Sequence, residues 1–127
     1  MKALLDTHAF LWWLAGDARM SRRAREIFAG STDLSLSIAS IWEILIKVQK
    51  GKLSFPRPAG PYLLSQMADN RIATLPLTVD HVLALERLPM HHSDPFDRMV
   101  IAQSMKEDWP IITADRMFKK YPVQVIW

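Results

Sequence analysis

The sequence has no cysteine, which excludes a disulfide framework and any zinc site built on thiolates, and agrees with a reducing compartment. Glycine is scarce at 4 residues and the 8 prolines follow no period, so collagen-like and low-complexity chains are excluded. Hydrophobic residues make up 50% of the chain and charged residues 23%, a balance too apolar for a disordered protein. No apolar run approaches the roughly 20 residues that span a bilayer, so no membrane association is expected. Lys2 precedes an apolar stretch ending in Leu14-Ala15-Gly16, but Asp6 and His8 interrupt the run that a secretory signal requires. We read the N-terminus as a mature cytoplasmic start.

A dense basic tail is also missing. The net charge is +3, and the cations fall into loose groups at Arg19, Arg22, Arg23 and Arg25, at Lys47, Lys50, Lys52 and Arg57, and at Arg116, Lys119 and Lys120. Such an excess favours an anionic partner through long-range attraction. An ordinary basic surface has the same composition.

What is present is enough for one core. A chain of 127 residues fits a single domain, and we expect one over residues 1–127. Short apolar runs alternate with helical patterns, which points to an α/β domain with a mainly parallel sheet of four or five strands. Ala3-Leu4-Leu5 is a strand candidate, followed by a helix from His8 to Ala15 that stops near Gly16. Ser21 caps a helix whose Ala24, Ile27 and Phe28 face the core. Leu34 to Ile38 reads as the second strand, and Ser40 as the cap of a helix carrying Glu43 in about its first turn. The stretch from Leu53 to Pro61 reads as an extended connection, and a helix from about Tyr62 to Asn70 leads to a strand at Ile72 to Leu75. Thr78 caps the next helix. Asp94-Pro95 starts a helix running to about Glu107, with Asp at the cap and Pro in the first turn. Strands at Pro110–Thr113 and Val123–Trp127 complete the pattern.

In open α/β sheets ligands bind beyond the carboxyl ends of the strands, and Asp6 and Asp115 both fall at such ends. Asp97 lies in the first turn of the helix that feeds the fourth strand. Capping explains Asp6, Asp115 and Asp97 individually, and an ion pair with Lys47 four residues on explains Glu43. Two features resist those explanations as a set. Asp97 shares a helix face with Val100, Ile101 and Ser104, and Glu43 is flanked by Trp42 and Ile46, so both carboxylates sit on helices with little polar surface to spare. Carboxylates that converge without matching cations repel one another, and a hard divalent ion with oxygen ligands relieves this. Mg²⁺ or Mn²⁺ suits such a donor set better than zinc.

With these residues in place the chain resembles the PIN domains, and in particular the VapC toxins of type II toxin–antitoxin modules. The resemblance rests on Leu4-Leu5-Asp6-Thr7-His8 with Leu11-Trp12, on Trp42-Glu43-Ile44 with Lys47 and Gly51-Lys52-Leu53, on His92-Ser93-Asp94-Pro95-Phe96-Asp97-Arg98 with Ile101-Ala102-Gln103, and on Thr113-Ala114-Asp115. It implies a PIN-like three-layer α/β/α sandwich and a Mg²⁺- or Mn²⁺-dependent endoribonuclease. By motif position it implies Asp6 and Asp97 as metal ligands, Asp115 as a third, direct or through water, and Glu43 completing the catalytic set by holding a water or a second ion. Thr7 and Thr113 are expected to brace the carboxylates. The implied reaction is in-line attack of a metal-activated water on an RNA phosphodiester; Arg98, Lys47 and Arg116 are expected either to meet flanking phosphates or to be ordinary surface charges. His8, His91 and His92 are read as structural or loop residues.

The resemblance also implies a cognate antitoxin and a homodimer. The apolar run Phe10-Leu11-Trp12-Trp13 suits either such a surface or the core. Two other classes share part of this pattern. A haloacid-dehalogenase-like phosphatase also places an Asp after its first strand, but it requires a second Asp two residues on, where His8 stands. A PIN-like binding module without catalysis would relegate the four acids to capping.

Overall fold

The computed structural model describes residues 1–127. Five strands, β1 (Lys2–Leu5), β2 (Asp33–Ser37), β3 (Ile72–Leu75), β4 (Ile111–Ile112) and β5 (Val125–Ile126), form one sheet. Its order is β3-β2-β1-β4-β5, and every neighbouring pair runs parallel. The helices are α1 (Thr7–Ala15), α2 (Arg22–Ala29), α3 (Ile38–Gln49), α4 (Ala59–Asp69), α5 (Val79–Ala84) and α6 (Pro95–Glu107), with short 3₁₀ turns at Leu85–Arg87 and Arg116–Lys120. None of the helices is long and apolar enough to cross a membrane.

Side chains alternate across a strand, so consecutive residues of a buried strand feed opposite faces of the sheet. Ala3 and Leu5 join Leu34, Leu36, Ile112 and the helical residues Phe10, Ala24, Phe28, Ile44 and Leu63 in one core. Leu4 and Ile111 join Val100, Ile101, Phe118 and Tyr121 in the other. The result is the three-layer α/β/α sandwich with a central parallel sheet expected from the sequence. The chain steps from β1 to β2 and β3 on one side, then returns to lay β4 on the other side of β1. That reversal puts a topological switch point between β1 and β4, where the strand ends leave a crevice.

Local chemistry explains most boundaries. Ser21 accepts from Ala24 N–H at 3.0 Å, Thr78 and His81 form a reciprocal cap, and Asp94 accepts from the N–H groups of Phe96 and Asp97. One boundary differs from the sequence reading. Ser37, not Ser40, caps α3, accepting from Ala39 N–H at 3.0 Å, so β2 ends one residue earlier than expected. Ser40 is fully buried and accepts a hydrogen bond from Thr7 at 2.8 Å. Glu43 therefore lies in the second turn of α3. The apolar run after His8 divides: Phe10 is fully buried, while Leu11, Trp12 and Trp13 are half-buried against the core, with Trp13 stacked on Phe28 at 5.0 Å.

Candidate active site

Asp6 follows β1 directly, and its N–H donates to Ile112 O of β4 at 3.0 Å, which pins it at the switch point. Thr113, the next residue of the β4 chain, donates from Oγ1 to Asp6 Oδ2 at 2.8 Å and accepts from Asp115 N–H at 3.0 Å. A single hydroxyl thus sets the spacing of two carboxylates 109 positions apart in sequence. Glu43 approaches from α3 and Asp97 from α6, two helices that touch.

Asp6, Glu43 and Asp97 are buried, at 3%, 4% and 7% exposure, and they share a pattern. In each, one oxygen has a protein partner: Asp6 Oδ2 has Thr113, Glu43 Oε2 has Lys47 Nζ at 3.0 Å, and Asp97 Oδ2 lies 3.1 Å from His92 Nε2. The other oxygens, Asp6 Oδ1, Glu43 Oε1 and Asp97 Oδ1, are buried with no partner. Asp115 is different. Its side chain is 35% exposed, and both oxygens are engaged, Oδ1 by Met117 N–H at 2.9 Å and Oδ2 by His92 Nε2 at 2.9 Å.

The electrostatics follow from burial. Loss of water is the main force that pushes the Asp97 carboxyl up to about 8, and repulsion from Asp6, Asp94, Glu43 and Asp115 adds to it. Burial likewise raises Asp6, with the Asp115 charge adding to the rise, against the hydrogen bond from Thr113 and the pull of His8. That Asp97 feels Asp6, Glu43 and Asp115 together is the field of one shared cluster. Unpartnered buried carboxylate oxygens cost several kcal/mol unless a cation meets them, and an all-oxygen set of this kind suits a hard divalent ion.

One expectation from the sequence is corrected. Arg98 does not face outward toward phosphates. It is buried, and its guanidinium donates to the carbonyls of Leu88 at 3.1 Å and Pro89 at 2.8 Å. Removing it by Arg98→Met leaves these carbonyls unmet, so an unfolding free energy lower by about 3 kcal/mol is expected in a denaturant titration. His92, expected in a structural or loop role, touches Asp97 and Asp115. Its partner lies 23 residues away, beyond any local signal, although its Nδ1 acceptance of Asp94 N–H at 3.2 Å is a short-range contact that the spacing before a capped helix allows. Thr113 braces Asp6 as expected, whereas Thr7 meets Ser40.

Sheet, layers and site together define a class: parallel α/β/α domains that gather carboxylates from separate strands and helices at the carboxyl edge of the sheet. Within that class the chain belongs to the PIN domain family, whose model matches residues 3–124. Ribonuclease VapC22 of Mycobacterium tuberculosis is 25% identical over 119 residues, covering 93% of this chain and 90% of that protein. Among solved structures, a chain of VapBC2 from Rickettsia felis, bound to a DNA fragment from the promoter, superposes with a TM-score of 0.75 at 13% identity, covering 99% of this chain and 98% of that one. FitAcB from Neisseria gonorrhoeae gives a TM-score of 0.69 at 17% identity, covering 100% and 97%. At these identities the two structures speak to the fold.

Proposed function

We propose that the chain is the toxin of a type II toxin–antitoxin pair, a Mg²⁺- or Mn²⁺-dependent endoribonuclease that works in the cytoplasm as a homodimer and is held inactive by a cognate antitoxin. Membership of the PIN family and likeness to a VapC ribonuclease support this reading, as does a fold shared with VapBC complexes. The observation that carries it is the triad of buried oxygens without partners, one each on Asp6, Glu43 and Asp97.

Those three residues would hold the ion, with Asp115, whose oxygens each already accept one hydrogen bond, acting directly or through water. Bound there, a divalent ion supplies a water of lowered pKa and charge stabilisation for phosphodiester hydrolysis. The chain's own groups do the rest. Thr113 fixes the rotation of the Asp6 carboxylate, and Lys47 fixes that of Glu43 while offsetting part of the negative charge. Asp97, whose carboxyl is raised to about 8, would hold an ion as the carboxylate and so would give up its proton to do so. Asp115, partly exposed, would order a water beside the RNA phosphate.

The test is direct. Purified chain incubated with single-stranded RNA and Mg²⁺ or Mn²⁺ is expected to release internal-cleavage fragments. Chelation by EDTA should stop cleavage and added Mn²⁺ should restore it; cleavage that persists in chelator sinks the reading. In cells, expression without a partner should arrest growth, and Asp6→Ala should relieve the arrest.

A further inference from the structure

Both ring nitrogens of His92 are committed. Nδ1 accepts the Asp94 N–H at 3.2 Å, which uses its lone pair, so the proton of the neutral ring belongs on Nε2. Nε2 donates to Asp115 Oδ2 at 2.9 Å and lies 3.1 Å from Asp97 Oδ2. A protonated nitrogen has no lone pair for a cation. His92 is therefore a donor beside the carboxylates, not a fourth ligand.

The ring is itself held from behind. His92 N–H donates to Tyr121 Oη at 2.8 Å, and Tyr121 Oη donates to Pro89 O at 2.7 Å. The ring meets the Phe118 ring at 5.7 Å and 85°, and its side chain is only 13% exposed. Arg98 grips the preceding carbonyls of Leu88 and Pro89 from α6. A side chain fixed by so many external contacts does not follow the carboxylates; the carboxylates follow it.

We infer that His92 is a positioning residue of the metal centre: by donating to Asp115 Oδ2 and meeting Asp97 Oδ2, it fixes the rotation of both carboxylates and leaves Asp97 Oδ1 free for the ion. Tyr121 acts through it. The inference rests on the metal-dependent reading of the site. Its chemical value lies in the ligand count, because few protein ligands leave positions open for water and substrate, which hydrolysis requires.

Mn²⁺ uptake by the purified full chain near neutral pH, followed by the paramagnetic resonance of free Mn²⁺, tests this without any turnover. His92→Ala should weaken the Kd about tenfold or more, the usual range for loss of a group that orients a ligand. His92→Gln retains an N–H at the same reach and should stay within about threefold of wild type. Tyr121→Phe should weaken binding about threefold in the wild-type background and not at all when His92 is already Ala, because a residue acting through another shows such non-additivity. An unchanged Kd in His92→Ala, or equal weakening by Tyr121→Phe in both backgrounds, overturns the positioning role alone. Absence of Mn²⁺ uptake by wild type overturns the metal reading and this inference with it.

Discussion

Asp97→Asn is expected to lower RNA cleavage at least about a thousandfold, equivalent to about 4 kcal/mol of transition-state stabilisation, while making the metal-free protein more stable. The two effects have one cause. Asp97 is 7% exposed, one of its oxygens has no partner, and its carboxyl is raised from 3.8 to about 8 by burial first and by neighbouring carboxylates second. A folded-state pKa above the unfolded value means that the folded chain binds more protons between those two pH values. Stability therefore falls as pH rises from about 4 towards about 8. At about 1.4 kcal/mol per unit the ceiling on this penalty is near 6 kcal/mol, and relaxation around the site will hold the observed part to about 2 kcal/mol. Asn keeps the shape and removes the charge. Melting of chelator-treated protein at pH 8 should thus shift upward by about 8 °C in the variant, with a flatter dependence on pH. A variant that is inactive and also less stable at pH 8 would contradict the buried-charge account.

Much of the site is legible in the sequence. Asp97 was marked by its face: Val100, Ile101 and Ser104 follow at helical spacing, and all are buried. Glu43 is marked by apolar neighbours, and it is buried together with its Lys47 pairing, a spacing that by itself suits an exposed helix face. Asp6 and Asp115 were placed by strand ends. The start of α6 was plain because Asp94 and Pro95 specify it locally. The cap of α3 was not, because Ser37 and Ser40 are equally good local candidates, and a hydroxyl 33 positions away on Thr7 decides between them. The contacts of Arg98 and His92 are hidden for a related reason. Arg98 does precede the buried Ile101 and Ala102 by three and four residues, which places it inward, but its carbonyl partners belong to a loop with no pattern. His92 becomes a contact of Asp115 only when β4 is laid beside β1.

Divalent ion should act on stability in the opposite sense to pH, and most strongly where the apo protein is weakest. At a Mn²⁺ concentration about 100 times its Kd, linkage gives about 2.7 kcal/mol, or roughly 10 °C in melting temperature for a chain of this size. Binding requires Asp97 to lose its proton, so affinity rises with pH up to the raised pKa of about 8. The melting shift caused by a fixed Mn²⁺ concentration is therefore expected to be larger at pH 8 than at pH 6, and calorimetry at pH 7 should record proton release whose heat varies with the buffer. Glu43→Gln and Asp6→Asn should each reduce the shift sharply, since each removes the charge behind one free oxygen. Asp115→Asn should reduce it less, because Asp115 is partly exposed and each of its oxygens already shares its charge with a hydrogen-bond donor. Equal losses in all three variants would place Asp115 among the direct ligands.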